Sequence, residues 1–108
     1  VASPLNTFKS VAANITTVPT NIYTCPAETT AIVLLAQATN VNAINDGNIT
    51  FYSSINGNTE LTKDFTIPVG DSAALLSGKL VIEEGESIGV YANANSVLKI
   101  TLSVLETQ

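Results

Sequence analysis

Three glutamates crowd one turn of this 108-residue chain: Glu83, Glu84 and Glu86 surround Gly85. Carboxylates so close together invite a calcium ion, but a calcium loop interleaves its ligands at fixed spacing and supplies six or more oxygens. This cluster lacks that spacing and lies in a tight connection between two alternating segments, so it reads as solvated turn charge. A carboxylate pair for glycoside cleavage could in principle meet from distant strands. The chain has no tryptophan to stack on a sugar, however, and no motif surrounds any of its acids. It also has no histidine, which removes catalytic triads, imidazole-ligated metals and a neutral-pH proton shuttle together. No glycine-rich phosphate loop occurs. Cys25 is the only cysteine. Set in Tyr23-Thr24-Cys25-Pro26 with no cationic neighbour to lower its pKa, it reads as a small buried hydrophobe. Asn14-Ile15-Thr16 and Asn48-Ile49-Thr50 match the glycosylation sequon, matches that arise by chance in a chain so rich in Asn and Thr. The expectation is a protein that is not an enzyme, with no catalytic residue, no cofactor and no bound metal.

The elements that would position these residues are strands. Leu98, Ile100, Leu102 and Val104 alternate with Lys99, Thr101 and Ser103, the period of two that puts one face of a strand on a core. Ile88, Val90 and Ala92 alternate with Ser87, Gly89 and Tyr91; Leu80 and Ile82 with Lys79, Val81 and Glu83; Ile49, Phe51 and Ile55 with Thr50, Tyr52 and Ser54. Phe65 and Ile67 end a further strand that begins near Glu60. Phe8–Val18 and Asn21–Cys25 add weaker β-segments, so residues 1–18 form an N-terminal arm or a first strand of a single domain spanning 1–108. Asn45-Asp46-Gly47-Asn48, Asn56-Gly57-Asn58, Pro68-Val69-Gly70-Asp71 and Glu84-Gly85-Glu86 carry turn chemistry, and Asn56-Gly57 is the strongest short hairpin signal. About eight strands in so small a chain predict an all-β, two-sheet antiparallel β-sandwich. Without the Trp and paired cysteines of antibody-type domains, a jelly-roll-like arrangement is preferred.

One strand departs from the half-exposed pattern. Ala31–Ala38 is apolar on both faces, with Ile32 and Leu34 on one side and Val33 and Leu35 on the other under strict alternation. A strand buried on both faces lies under a second layer, and in a chain of this size that layer can be another subunit. Val33 and Leu35 are therefore candidate subunit or partner contacts. Tyr52 and Tyr91 join them, because both fall on polar strand faces and Tyr is favoured at interfaces.

Composition narrows the partner. Charged residues make up 12% of the chain, about half the usual share, so the surface is largely Asn, Thr, Ser and Ala, which desolvates cheaply against other proteins. The net charge is −5, with four lysines and no arginine. That leaves no cationic footprint for nucleic acid and no polybasic membrane contact. The longest wholly apolar run, Ala31–Ala36, is far below the roughly 20 residues a membrane-spanning helix needs. No signal-peptide layout is visible.

The order of the segments carries a resemblance. Asn21-Ile22-Tyr23-Thr24-Cys25-Pro26-Ala27 runs into Thr30–Ala38. Then follow Lys63-Asp64-Phe65-Thr66-Ile67-Pro68-Val69-Gly70, Gly78-Lys79-Leu80-Val81-Ile82-Glu83-Glu84-Gly85-Glu86-Ser87-Ile88 and a closing strand ending Ser103-Val104-Leu105-Glu106. Over about residues 20–106 this resembles the small β-sandwich virion proteins of tailed phages, particularly marine and cyanobacterial ones. The resemblance implies a virion structural protein, first of all a capsid decoration (cement) protein. Such a protein would bind the major capsid protein or other virion proteins, often as a trimer, and stabilise the expanded head. It would assemble in the host cytoplasm and reside in the virion. A tail, neck or fibre-associated virion module is the first alternative, and a carbohydrate- or ligand-binding β-sandwich the second.

Overall fold

Each alternating segment has one apolar face to hide, and two layers laid face to face hide them all. The computed structural model describes residues 6–107 and shows two antiparallel sheets built from nine strands. The strands are β1 (Asn6–Asn14), β2 (Thr20–Thr24), β3 (Thr30–Asn40), β4 (Gly47–Ser53), β5 (Thr59–Ile67), β6 (Ser72–Ala74), β7 (Leu80–Ile82), β8 (Ser87–Ala92) and β9 (Leu98–Thr107). One sheet has the order β1-β9-β3-β6, with β7 also pairing β3; the other has the order β2-β8-β4-β5. Of the segment 1–18, residues 1–5 lie outside the described residues.

The pairing is nested. β1 pairs β9, β2 pairs β8, β3 pairs β6 and β7, and β4 pairs β5. A chain doubled on itself about the β4–β5 turn, then wrapped into two layers, makes these pairs. Wrapping adds β3–β9 in one sheet and β4–β8 in the other. Asn56-Gly57 falls in the central turn, a 3-10 turn over Ile55–Gly57. Gly85 closes the β7–β8 connection at φ +80°, a backbone state that costs a residue with a Cβ.

Ile15, Val33, Ile49, Phe51, Ile67, Ile82, Ile88, Val90, Leu98, Ile100, Leu102 and Val104 are fully enclosed between the sheets. The strand expected over Ala31–Ala38 is the middle of β3. The unanticipated strand is β6, only three residues long and fed by the Pro68–Asp71 turn, where Asp71 N–H donates to the Pro68 carbonyl at 3.0 Å. Phe65 and Ile67 end β5 as expected, Ile67 buried and Phe65 47% exposed on this edge strand, whereas Ile55, expected in phase with Ile49 and Phe51, lies instead in the 3-10 turn after β4 and is exposed.

The β3 strand also corrects the expectation of strict alternation. Its register against β9 slips between Val33, opposite Val104, and Leu35, opposite Ser103. Leu34 is thus an extra residue, a β-bulge, and Val33 and Leu35 end on opposite faces. Val33 is fully buried in this chain's own core, whereas Leu35 is 40% exposed. The bulge falls in the gap between β7, which pairs with Ala31–Val33, and β6, which pairs with Gln37–Thr39. A continuous neighbouring strand would resist it there.

Candidate interaction surfaces

The inward polar groups come first, because an unsatisfied one would mark a ligand site. Alternation along β9 sends Glu106 inward, in phase with Leu98, Ile100, Leu102 and Val104. From the opposite sheet, Tyr23 donates its hydroxyl to Glu106 Oε2 at 2.5 Å, and Lys9 Nζ lies 3.0 Å from Oε1. Burial opposes ionisation of Glu106, but the Tyr23 hydrogen bond and the Lys9 ammonium outweigh it and hold the carboxyl below its ordinary value. Burial, then the bond to Glu106, push the Tyr23 phenol far above its ordinary value. These three residues clasp the two sheets. Sequence reading missed them, although an acid in phase with four apolar residues was the signal. Among the described residues no buried side-chain nitrogen or oxygen lacks a partner.

Cys25 is buried and free. Its thiol donates to the Thr29 carbonyl at 3.2 Å, and burial is the first cause of its raised pKa. The turn glutamates cap backbone: Glu86 accepts from Glu83 N–H at 2.8 Å, and Glu84 accepts from Glu28 N–H at 3.0 Å. No group of three or more His, Cys, Asp or Glu among the described residues is placed to hold a metal ion. A shallow cleft of about 280 Å³ opens between Glu28, Thr29, Thr30, Glu83, Glu84 and Thr107. Another of about 280 Å³ runs past Ala12, Asn14, Lys99 and Thr101.

The two outer faces differ. On the smaller sheet, Tyr52 and Tyr91 sit 6.3 Å apart with rings tilted at 50°. Tyr52 is only 8% exposed, because Gly89 directly beneath leaves room for its ring to lie flat; a Cβ on residue 89 would fall among the ring atoms. Tyr91, on the neighbouring strand, is partly exposed.

On the larger sheet one row runs straight across four strands. Phe8 is opposite Leu105, Leu105 opposite Ile32, and Ile32 opposite Val81. Opposite residues share a face, and Val104 and Glu106 on either side of Leu105 point inward, so the row points out. Phe8 is 74% exposed and Val81 53%. Leu34 and Leu35 adjoin the row, exposed by the bulge. Of the four sequence candidates, then, Leu35 belongs to this face, Tyr52 and Tyr91 to the opposite one, and Val33 lies between the sheets.

No family model and no curated protein matches the chain. Among solved structures, it is similar to a protein from a study of Bacillus endospore appendages, described as a novel family of disulfide-linked pili. That match has a TM-score of 0.55 at 11% identity and covers 95% of this chain and 86% of that one. A pentameric capsid protein from metagenomic phage sequences aligns at a TM-score of 0.43 and 10% identity, over 92% of this chain and 60% of that one. The first likeness is one of fold.

Proposed function

We propose that this protein is a non-enzymatic structural component of a phage virion. In its sharpest form the reading is a decoration (cement) protein that binds the major capsid protein and stabilises the expanded head. The observation that carries it is the exposed apolar row Phe8–Leu105–Ile32–Val81, in a fold whose buried side-chain polar atoms are all paired among the described residues. Among the described residues no buried polar side chain waits for a small ligand, while an exposed apolar sheet face awaits a protein surface, another virion protein's or a second copy's. The segment order that resembles tailed-phage virion proteins supports the same reading. So does the nested strand order, the wiring of a jelly roll, a fold used in capsids. The pilus-forming neighbour supports a fold suited to many-copy assembly, although the single cysteine here is buried. A trimer on the capsid would add avidity by multivalent contact.

Counting copies in purified particles and locating their density tests the proposal. Hundreds of copies on the head support decoration. A dozen or fewer at the tail would transfer the protein to a tail, neck or fibre module. Micromolar binding to a glycan, with no copy in the particle, would make it a sugar-binding sandwich instead.

A further inference from the structure

We propose that the outer face of the larger sheet docks against the same face of a second copy of this chain, with the strands of the two copies running in opposite directions. Three features of the face choose that occupant. The first is charge. The outward positions of β1, β3, β6, β7 and β9 carry one charged residue, Lys99, in a chain of net charge −5. Acids gather instead where the face ends: Glu28, Glu83 and Glu84 border the cleft beside Thr30 and Thr107. Lys99 and Thr107 are the two ends of outward-facing β9, eight residues or roughly 27 Å apart. A two-fold axis lying in the interface and crossing the strands at the level of Ser10, Ser103 and Leu35 brings each Lys99 over its partner's acidic end. The opposite orientation, strands parallel, would set lysine on lysine and acid on acid, so charge selects the antiparallel one.

The second feature is the apolar content. In that orientation Leu34 and Leu35 meet their own symmetry mates near the axis, and the row Phe8–Leu105–Ile32–Val81 covers the partner's Ala12, Thr101, Gln37 and Ala74, small or neutral side chains that desolvate easily. The third is area. Three strands of about 30–37 Å, with the short β6 and β7 sharing a fourth position and neighbours about 4.8 Å apart, give a footprint of roughly 600 Å² per copy, near the roughly 800 Å² per partner of a standard interface. Aligned sheet packing at about 30° is an ordinary way for two such faces to meet. The contact takes up the row on which the proposed function rests and makes it a seam between copies, so a capsid would be met by other surfaces of the pair; where the pair resides is tested separately.

Sedimentation equilibrium of the purified 108-residue chain, across concentration and salt, is the test. A dimer or even multiple that weakens with salt is expected. Phe8→Ser should raise its dissociation constant by about a hundredfold, since an anchor is lost twice in a two-fold contact. Lys99→Glu should raise it by about tenfold or more through like-charge contact. Adding Glu83→Lys to Lys99→Glu in one chain should restore association, a rescue that no loss of folding can mimic. Thermal melts confirm that each variant is folded. A protein that stays monomeric at millimolar concentration overturns the inference. So does an assembly, a trimer included, that is unmoved by Phe8→Ser, or a Lys99→Glu defect that Glu83→Lys does not repair. Particle copy number can fail independently of all these outcomes.

Discussion

Glu106 holds a carboxylate where β9 asks for an apolar side chain, and it is tolerated because Tyr23 and Lys9 meet both of its oxygens. Two pH limits follow. Its pKa is lower folded than unfolded, so it contributes stability above its ordinary value of 4.5 that is lost as pH falls below it. Tyr23 shifts the other way. Its contribution is intact below pH 10.0, its ordinary value, and declines as pH rises beyond it. Urea unfolding from pH 3 to pH 11 should show stability falling at both ends, the acid fall flattened in Glu106→Gln and the alkaline fall flattened in Tyr23→Phe. At pH 7, Tyr23→Phe should cost about 2 kcal/mol, the usual scale for a buried hydrogen bond to a charged group. That loss should narrow in acid as Glu106 takes up its proton. Cys25, enclosed and with its thiol pKa raised, should resist thiol reagents in the native protein and react at once in denaturant.

At the scale of the element, β3 turns on one residue. Because Leu34 is an insertion in an otherwise regular ladder, deleting it should leave Val33 opposite Val104 and Leu35 opposite Ser103. The deletion variant should fold, with a melting temperature within several degrees of the parent. Deleting Thr101 from the unbulged β9 should not be tolerated, because a one-residue slip turns the rest of a strand inside out. If both deletions unfold the protein alike, the bulge is not the tolerant point assigned to it. On β8, Gly89→Ala would drive a methyl into the Tyr52 ring and should cost about 1–3 kcal/mol as an overpacking change. These details separate what was legible in the sequence from what was not. Alternation placed β4, β7, β8 and β9 and, Ile55 apart, the inward set of each, because a strand half in water must alternate. It failed at β3, where a bulge leaves no mark in a run of aliphatic residues and so sent Val33 and Leu35 to one face. It failed at β6, too short to show a period, and at Ile55, where the chain leaves the strand for the 3-10 turn. The outer row was invisible for a different reason. Phe8, Ile32, Val81 and Leu105 are scattered along the chain, and only the register makes them neighbours.

In the whole molecule, nesting brings the start of β1 and the end of β9 together: Asn6 is directly opposite Thr107, and opposite residues in an antiparallel pair lie about 5 Å apart. A circular permutant joined there by a short linker and opened in the Ile55–Gly57 turn keeps every strand pair. It should fold and melt within several degrees of the parent, as judged by circular dichroism. The same nesting gives synthesis a direction. A chain leaving the ribosome can close β4 on β5 as soon as both are out, then add pairs outward in order. β1 and β3 flank β9 in the finished sheet, so both must wait until β9 is made, after the eight strands before it, their inward faces uncovered meanwhile. Any chain released before β9 is complete lacks the centre of its larger sheet, and a cell can tell such a product from a finished one by the apolar surface it still shows.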